Sequence, residues 1–361
     1  MIIRYFQCKY LTVVGSMLGA LLCFGCSQAV QENDSTQQQI LQSDSDLLAG
    51  THIAIAYSGF RKGQHPDRGD GAINPSDDEI LEDLEILAKN STFPLIRVYD
   101  SDENSEAVLR LIKDHNIDIK VMLGIWISAE ISNHEGCPWL NEPIPPSTLI
   151  ANKAKNEAQI EKGIRLANSY SNIVIAVNVG NEALADFTNH MVSVESLIAY
   201  VRKVKKAVHQ PVTVAEYYSW WLENGILLAP ELDFVAVQIH PIWENIPIDD
   251  ALAYTDSRIR TIKDSLGGAQ IVITETAWAT TASEFPDQAS EENQLQYYNE
   301  FTQWAKQNNV TTFIFEAFDE PWKGDSANPD GAEKHWGLFT EQRNAKMAMH
   351  KLYPERIPTS K

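Results

Sequence analysis

Two glutamates stand where apolar runs of the chain stop: Glu182 closes "NIVIAVNVGNE" and Glu275 closes "QIVITET". A strand that looks buried along its whole length and then presents carboxylates is a candidate for acid/base work. The reaction that asks for two carboxyls is glycosidic cleavage, which passes through an oxocarbenium-like transition state. One carboxyl protonates the leaving oxygen, and the other stabilises or attacks the anomeric carbon. Asn181, beside Glu182, is placed to hydrogen-bond a sugar 2-hydroxyl, a contact that strengthens at the transition state. The acid must keep its proton near neutral pH, which partial burial and a neighbouring anion favour.

The other strand ends carry polar or aromatic side chains too: Tyr57, Arg97 and Tyr99, Trp126, Glu216 and Tyr217, His240, and Glu316. One such residue means little. Together with the two glutamates they describe a cleft for a polar ligand with flat faces. Plainer roles stand beside these. Arg97 fits a salt bridge in the mouth as well as a sugar contact, and Glu216 either supports Glu275 or binds a hydroxyl. His240, before Pro241, reads as a hydrogen-bonded support; without a second His at ligand spacing it makes a poor metal ligand. Trp126, Trp278 and Trp322 stack on sugar rings or pack loops. Trp139, Trp220, Trp221 and Trp243 lie where outer subsites would form. The chemistry calls for no cofactor and no metal.

Eight Val/Ile/Phe-rich runs recur after residue 51: "HIAIAYS", "LIRVYD", "IKVMLGIWI", "NIVIAVNVG", "VTVAEYY", "DFVAVQIH", "QIVITET" and "TTFIFEAFD". Between them lie segments of helical period, such as "SDDEILEDLEILAKN" with a Ser/Asp start and "VESLIAYVRKVKKAV". "LENGILLAP" gives a short fifth helix, and "EQRNAKMAMHKLY" closes the series. Strand then helix, eight times, predicts an α/β fold, a single (β/α)8 TIM barrel whose strand C-termini share one face. Unbroken apolar strands suit a sheet covered on both faces. An open doubly wound sheet is disfavoured because no glycine-rich phosphate loop follows the first strand. The stretch 128–147 is long for a barrel loop and is expected to shape subsites.

Composition bounds the rest. The chain has 361 residues, 44% hydrophobic, and a formal net charge of −20. No basic patch is evident, so phosphates would be repelled and nucleic acid is excluded as a partner. Residues 1–25 read as a lipoprotein-type signal peptide: Arg4 and Lys9 precede the apolar stretch from Leu11 to Phe24, and "LLCFGCSQ" places Cys26 as the lipidated residue. Residues 26–50 are polar and Gln/Ser/Asp-rich, a flexible tether. Residues 51–361 form the catalytic domain. That predicts an exported monomer that meets a bacterial membrane (the outer membrane or cell surface) only through its N-terminal lipid. Cys137 is then left alone, an inert loop thiol.

"VNVGNEAL", "VITETAWAT" and "FIFEAFDEPWK", with the later "HWGLF", together resemble the motifs of glycoside hydrolase family 17, over most of residues 52–340. The resemblance implies a retaining β-1,3-glucanase or β-1,3-glucanosyltransferase on a (β/α)8 barrel. It implies Glu182 as acid/base, Glu275 as nucleophile and Asn181 at the 2-hydroxyl. Tyr57 matches a cleft tyrosine. Glu320 and Lys323 match a carboxylate and lysine that tune charge and orient Glu275. Arg97, Tyr99, Trp126, Tyr217, His240, Trp278, Glu316, Phe318 and Trp322 complete the expected substrate-binding set. One departure is Ala277-Trp278 where the family pattern has Gly-Trp. Three readings follow: endo-hydrolysis of β-1,3-glucan, glucan transfer on the same scaffold, and a non-catalytic surface glucan-binding protein. The last has no need of both glutamates in motif.

Overall fold

The computed structural model describes residues 53–67, 69–138 and 140–358, together with Leu48. The predicted signal peptide, Cys26, nearly all of the tether and Trp139 lie outside the described residues. Eight parallel strands close in chain order into a barrel: β1 (Ile53–Ala56), β2 (Leu95–Arg97), β3 (Lys120–Ile125), β4 (Val174–Asn181), β5 (Val212–Tyr217), β6 (Val235–Gln238), β7 (Ile271–Thr276) and β8 (Thr312–Ile314). Closure is made by β1 against β8, with Ile53 beside Thr312. Seven helices run between consecutive strands: α1 (Asp77–Ala88), α2 (Glu103–Asp114), α3 (Pro146–Ser169), α4 (Val194–Ala207), α5 (Tyr218–Leu228), α6 (Ile248–Ser265) and α7 (Glu291–Asn308). The Ser/Asp start of the first helix is a capping box: the Glu79 N–H donates to Ser76 Oγ, and the Glu79 carboxylate accepts from the Ser76 N–H.

Alternation along the strands builds two cores. One residue from each strand fills the lumen: Ala54, Leu95, Met122, Ala176, Ala215, Ala236, Val272 and Phe313, with Phe234 just before β6. Their neighbours, among them Ile55, Leu123, Val177 and Ile273, pack outward under the helices. Both faces are therefore buried, as continuous apolar runs require.

The expected eighth helix is not formed. Residues 341–353 contain only a 3₁₀ turn, Met347–Met349. Arg343 adopts φ +64°, outside helical space, and its side chain is drawn inward onto Asp83 of α1. The apolar spacing is still used, since Ala345, Ala348, Met349 and Tyr353 are all buried. They cover the barrel as an irregular strap. The predicted long loop after β3 is present: Asn156 of α3 binds both backbone groups of Ser128, and Cys137 is buried. Among the described residues no helix is long and apolar enough to cross a membrane.

Candidate active site

Consecutive strand residues face opposite ways, so an Asn and a Glu in sequence should not share a mouth. At the end of β4 the pairing with β5 slips: Asn178 is opposite Thr213, yet Asn181, three residues on, is opposite Ala215. The extra residue is a bulge. Gly180 takes φ +81° within it and Glu182 follows at φ +50°, its N–H held by the Ala215 carbonyl at 2.8 Å. The same device occurs on β7. Strict alternation from the lumen residue Val272 would send Glu275 outward. The register shifts between Val237 and Gln238 on β6, which puts Gln238 opposite Glu275. Both glutamates thus reach the mouth through an irregularity.

Glu275 is 6% exposed and heavily hydrogen-bonded. Its Oε1 accepts from Arg97 Nη1 (2.6 Å), Gln238 Nε2 (2.7 Å) and the Tyr99 hydroxyl (3.0 Å). Oε2 lies 3.5 Å from His240 Nε2. Burial alone would raise this carboxyl's pKa. The His240 hydrogen bond, the Arg97 guanidinium and the Tyr99 hydroxyl outweigh it and hold the group below the ordinary glutamate value. Arg97 also donates to Asn181 Oδ1 at 2.5 Å, and Gln238 donates to the same oxygen at 2.7 Å. Asn181 is thereby fixed, with its amide nitrogen as the remaining donor. Glu182 has no cation of its own. Burial, then the charges of Glu275 and Glu333, push its carboxyl up to about 8. Two carboxyls in one mouth are thus held in opposite protonation states at neutral pH.

Arg97, Tyr99, Asn181, Glu182, His240 and Glu275 come together as expected. Trp126 and Tyr217 stand half-buried at the ends of β3 and β5. The Trp126 ring leans on His190, and the Tyr217 ring sits between Phe187 and Tyr218 with its hydroxyl donating to Glu244. Trp322 is half-buried against Phe60.

Other residues are placed differently. Tyr57 does not line the cleft: it is 1% exposed and its hydroxyl donates to Asp83. Phe318 packs on Tyr57 and Phe339, and Trp278 packs on Tyr297 with its indole N–H donating to the Gln288 carbonyl. Both are core residues, 2% exposed or less and packed in the loops that follow β8 and β7. Glu320 and Lys323 do not bond Glu275. Glu320 accepts from Ser58 Oγ and the Phe60 N–H, and Lys323 bridges Glu316 and Glu320. The groups that orient Glu275 are Arg97, Tyr99, Gln238 and His240. Burial lifts Glu316 well above the ordinary carboxylate range. Glu216 is not among the groups bonded to Glu275: it accepts from the Leu184 N–H and braces the turn behind Glu182.

Sequence reading missed Gln238, Glu333 and Phe315. Gln238 is two residues before His240 and shares the lumen face of Ala236, a parity signal that was available. Glu333 comes from the loop after β8 and reaches the charge field of Glu182 and Glu275. Phe315 lies between Tyr99, His240 and Trp336, with Lys323 Nζ 4.4 Å above its ring.

The model of the BtgE/BtgC glycoside hydrolase domain matches residues 54–337. The chain is 29% identical over 296 residues to a putative glucan endo-1,3-beta-glucosidase btgC of Aspergillus niger, covering 75% of this chain and 40% of that one. It thus spans about two fifths of the length of that relative. A glucan 1,3-beta-glucosidase of Arthroderma benhamiae is 25% identical over 283 residues, 73% of this chain and 82% of the relative. Among solved structures, an endo-laminarinase from Formosa Hel1_33_131 superposes with a TM-score of 0.72 at 23% identity, over 87% of this chain and 90% of the other. A glycoside hydrolase family 17 beta-1,3-glucanosyltransferase from Rhizomucor miehei does so with a TM-score of 0.63 at 23% identity, over 83% and 97%. At these identities the two superpositions establish the shared barrel.

Proposed function

The chain belongs to the BtgE/BtgC glycoside hydrolase family, and from that premise we propose that it is a retaining, endo-acting hydrolase of laminarin-type β-1,3-glucan. The observation that carries this is the opposed protonation of two carboxyls in one mouth: Glu275 ionised among four donors, Glu182 protonated by burial and by the charges of Glu275 and Glu333. The names of the curated relatives support the substrate class.

In the first step Glu275 attacks the anomeric carbon. With Oε1 saturated by three donors, Oε2 is the attacking oxygen. The glycosidic C–O bond breaks and Glu182 gives its proton to the departing oxygen. This leaves a glycosyl ester on Glu275 and Glu182 as carboxylate. In the second step Glu182 takes a proton from water, and the resulting hydroxide displaces Glu275. Two inversions at one carbon retain its configuration. The Asn181 amide donates to the 2-hydroxyl of the reacting sugar. Trp126, Tyr217 and Trp322 offer flat faces to neighbouring rings. Glucan transfer is the second reading, favoured by the aromatic pair Phe187 and Tyr217 beside the Glu182 turn, where an acceptor sugar would stack.

The test is a product time course on linear β-1,3-glucan with the form starting at residue 27. A ladder of shorter products whose new reducing ends are β by NMR is expected. Products longer than a supplied oligosaccharide would move the assignment to transfer, and α ends would remove the double displacement. Glu275→Ala should bind glucan and turn over none of it, and residual hydrolysis there would take the nucleophile's role from Glu275. We further propose, from "LLCFGCSQ" alone, that Cys26 carries lipid and tethers the enzyme to a bacterial membrane. Incorporation of labelled palmitate that Cys26→Ser abolishes is the expected result.

A further inference from the structure

His190 lies in the turn after β4, eight residues beyond Glu182, and no part of the mechanism above uses it. Its Nε2 is 2.7 Å from the main-chain carbonyl oxygen of Asn181. A carbonyl only accepts, so Nε2 carries the hydrogen. The carbonyl it holds belongs to the peptide joining Asn181 to Glu182, in the middle of the bulge. The other face of that stretch is held by the Glu182 N–H on Ala215, and Thr188 Oγ1 donates to the Glu182 carbonyl. The imidazole ring lies 4.5 Å from the ring of Trp126, tilted by 40°. The turn that carries His190 is itself tied to the loop after β3. The N–H groups of Glu130 and Ile131 both donate to the Met191 carbonyl, and Asn133 Nδ2 donates to the carbonyls of Asp186 and Thr188.

A left-handed non-glycine residue at the end of a bulge is a costly conformation that its surroundings must impose. We infer that His190 is a positioning residue for the acid/base: its Nε2–H fixes the Asn181–Glu182 peptide, and its ring sets Trp126 against the same turn. The Glu182 carboxyl is thereby aimed at the leaving oxygen while Trp126 is aimed at the sugar. Burial lowers the pKa of His190, with the Asn181 carbonyl pulling the other way, and Nδ1 faces Asn189 Oδ1 at 3.2 Å; the Nε2–H donates to the Asn181 carbonyl in either charge state. This inference rests on the assignment of Glu182 as acid/base.

The experiment compares two substrates in His190→Phe, which keeps a ring and loses the donor. Laminarin has a poor leaving group and needs the acid. A dinitrophenyl β-laminaribioside does not, because dinitrophenolate departs without a proton. Misaiming by a fraction of an ångström to an ångström should cost roughly 10- to 100-fold in kcat on laminarin. The first-turnover release of dinitrophenolate should change by less than about threefold. Azide should accelerate steady turnover and yield the β-glycosyl azide, since it attacks the ester on Glu275 without needing a base. His190→Gln, whose amide nitrogen reaches the Nε2 position, should recover most of the laminarin activity. If the Phe variant does not fold, His190→Asn, whose amide is too short to reach the carbonyl, takes its place. Equal loss on both substrates without an azide effect, or no loss, overturns the inference. Glu182→Ala separates the failures: azide rescue there with none at His190 sinks only the role of His190, and no rescue at Glu182 sinks the acid/base assignment.

Discussion

The protonation states of Glu182 and Glu275 set the shape of the pH profile. Glu275 must be ionised to attack, so activity falls as pH drops through its depressed pKa, below the ordinary glutamate value. Glu182 must be protonated for the first step, so activity falls as pH rises through about 8. Glu333→Gln removes one of the anions that raise Glu182. The alkaline limb of kcat/KM should then move to lower pH while the acid limb hardly moves, and a limb that stays put would show that Glu333 does not act on Glu182. Removal of the charge from Arg97 by Arg97→Met should cost more, about 10²-fold or above in kcat, because it strips both Glu275 and Asn181 of a donor. What the sequence discloses at this level is residue type and strand position. Glu182, Glu275, Arg97 and His240 are legible because each closes an apolar run. Tyr57, Phe318 and Trp278 also close or follow such runs, yet they turn into the core. Which face a residue takes past the last regular pair depends on bulges, and a bulge leaves no mark in an apolar pattern.

Strands are the most legible elements, since burial on both faces writes them as continuous apolar runs. Their irregular ends are where the site is made. Gly180 is the one glycine whose conformation the site plainly needs: φ is +81°, and an added Cβ would meet Ala183 Cβ at 3.2 Å and Leu197 Cδ1 at 3.3 Å. Gly180→Ala should destabilise the fold by about 1–2 kcal/mol from the left-handed backbone alone, read as a shift in the urea midpoint. It should also lower kcat on glucan more than KM changes, because Glu182 hangs on that turn. A stability loss with kcat intact would mean that the turn tolerates distortion without losing its aim. The missing eighth helix has a similar lesson. Residues 341–353 have helical spacing, but a long-range ion pair, Arg343 to Asp83, decides their course, and no local pattern announces a partner in α1.

The barrel is locked where its first helix meets the segment that follows β8. Arg343 is 1% exposed and makes paired bonds to the buried Asp83, at 2.7 and 2.6 Å, and a third to the Gly59 carbonyl at 3.0 Å. Arg61 and the Tyr57 hydroxyl join the same carboxylate. Loss of Arg343 removes the paired donors from a buried carboxylate and leaves it only the single Arg61 contact as counter-charge. Arg343→Met should therefore cost about 3–5 kcal/mol by equilibrium urea unfolding, and Asp83→Leu with Arg343→Met should cost less than the single change. An additive double variant would show that the pair is not coupled. Closure of β1 on β8 has a further consequence, for the nascent chain. Ile53 emerges from the ribosome long before Thr312, its partner in the sheet. Until then any sheet that has assembled keeps two raw edges, each a row of unpaired main-chain donors and acceptors ready to recruit another copy. A product that stops short of Thr312 keeps those edges for good. Truncated chains should accordingly collect in inclusion bodies, and circular permutants that place new termini in surface loops while joining the old ones should stay soluble.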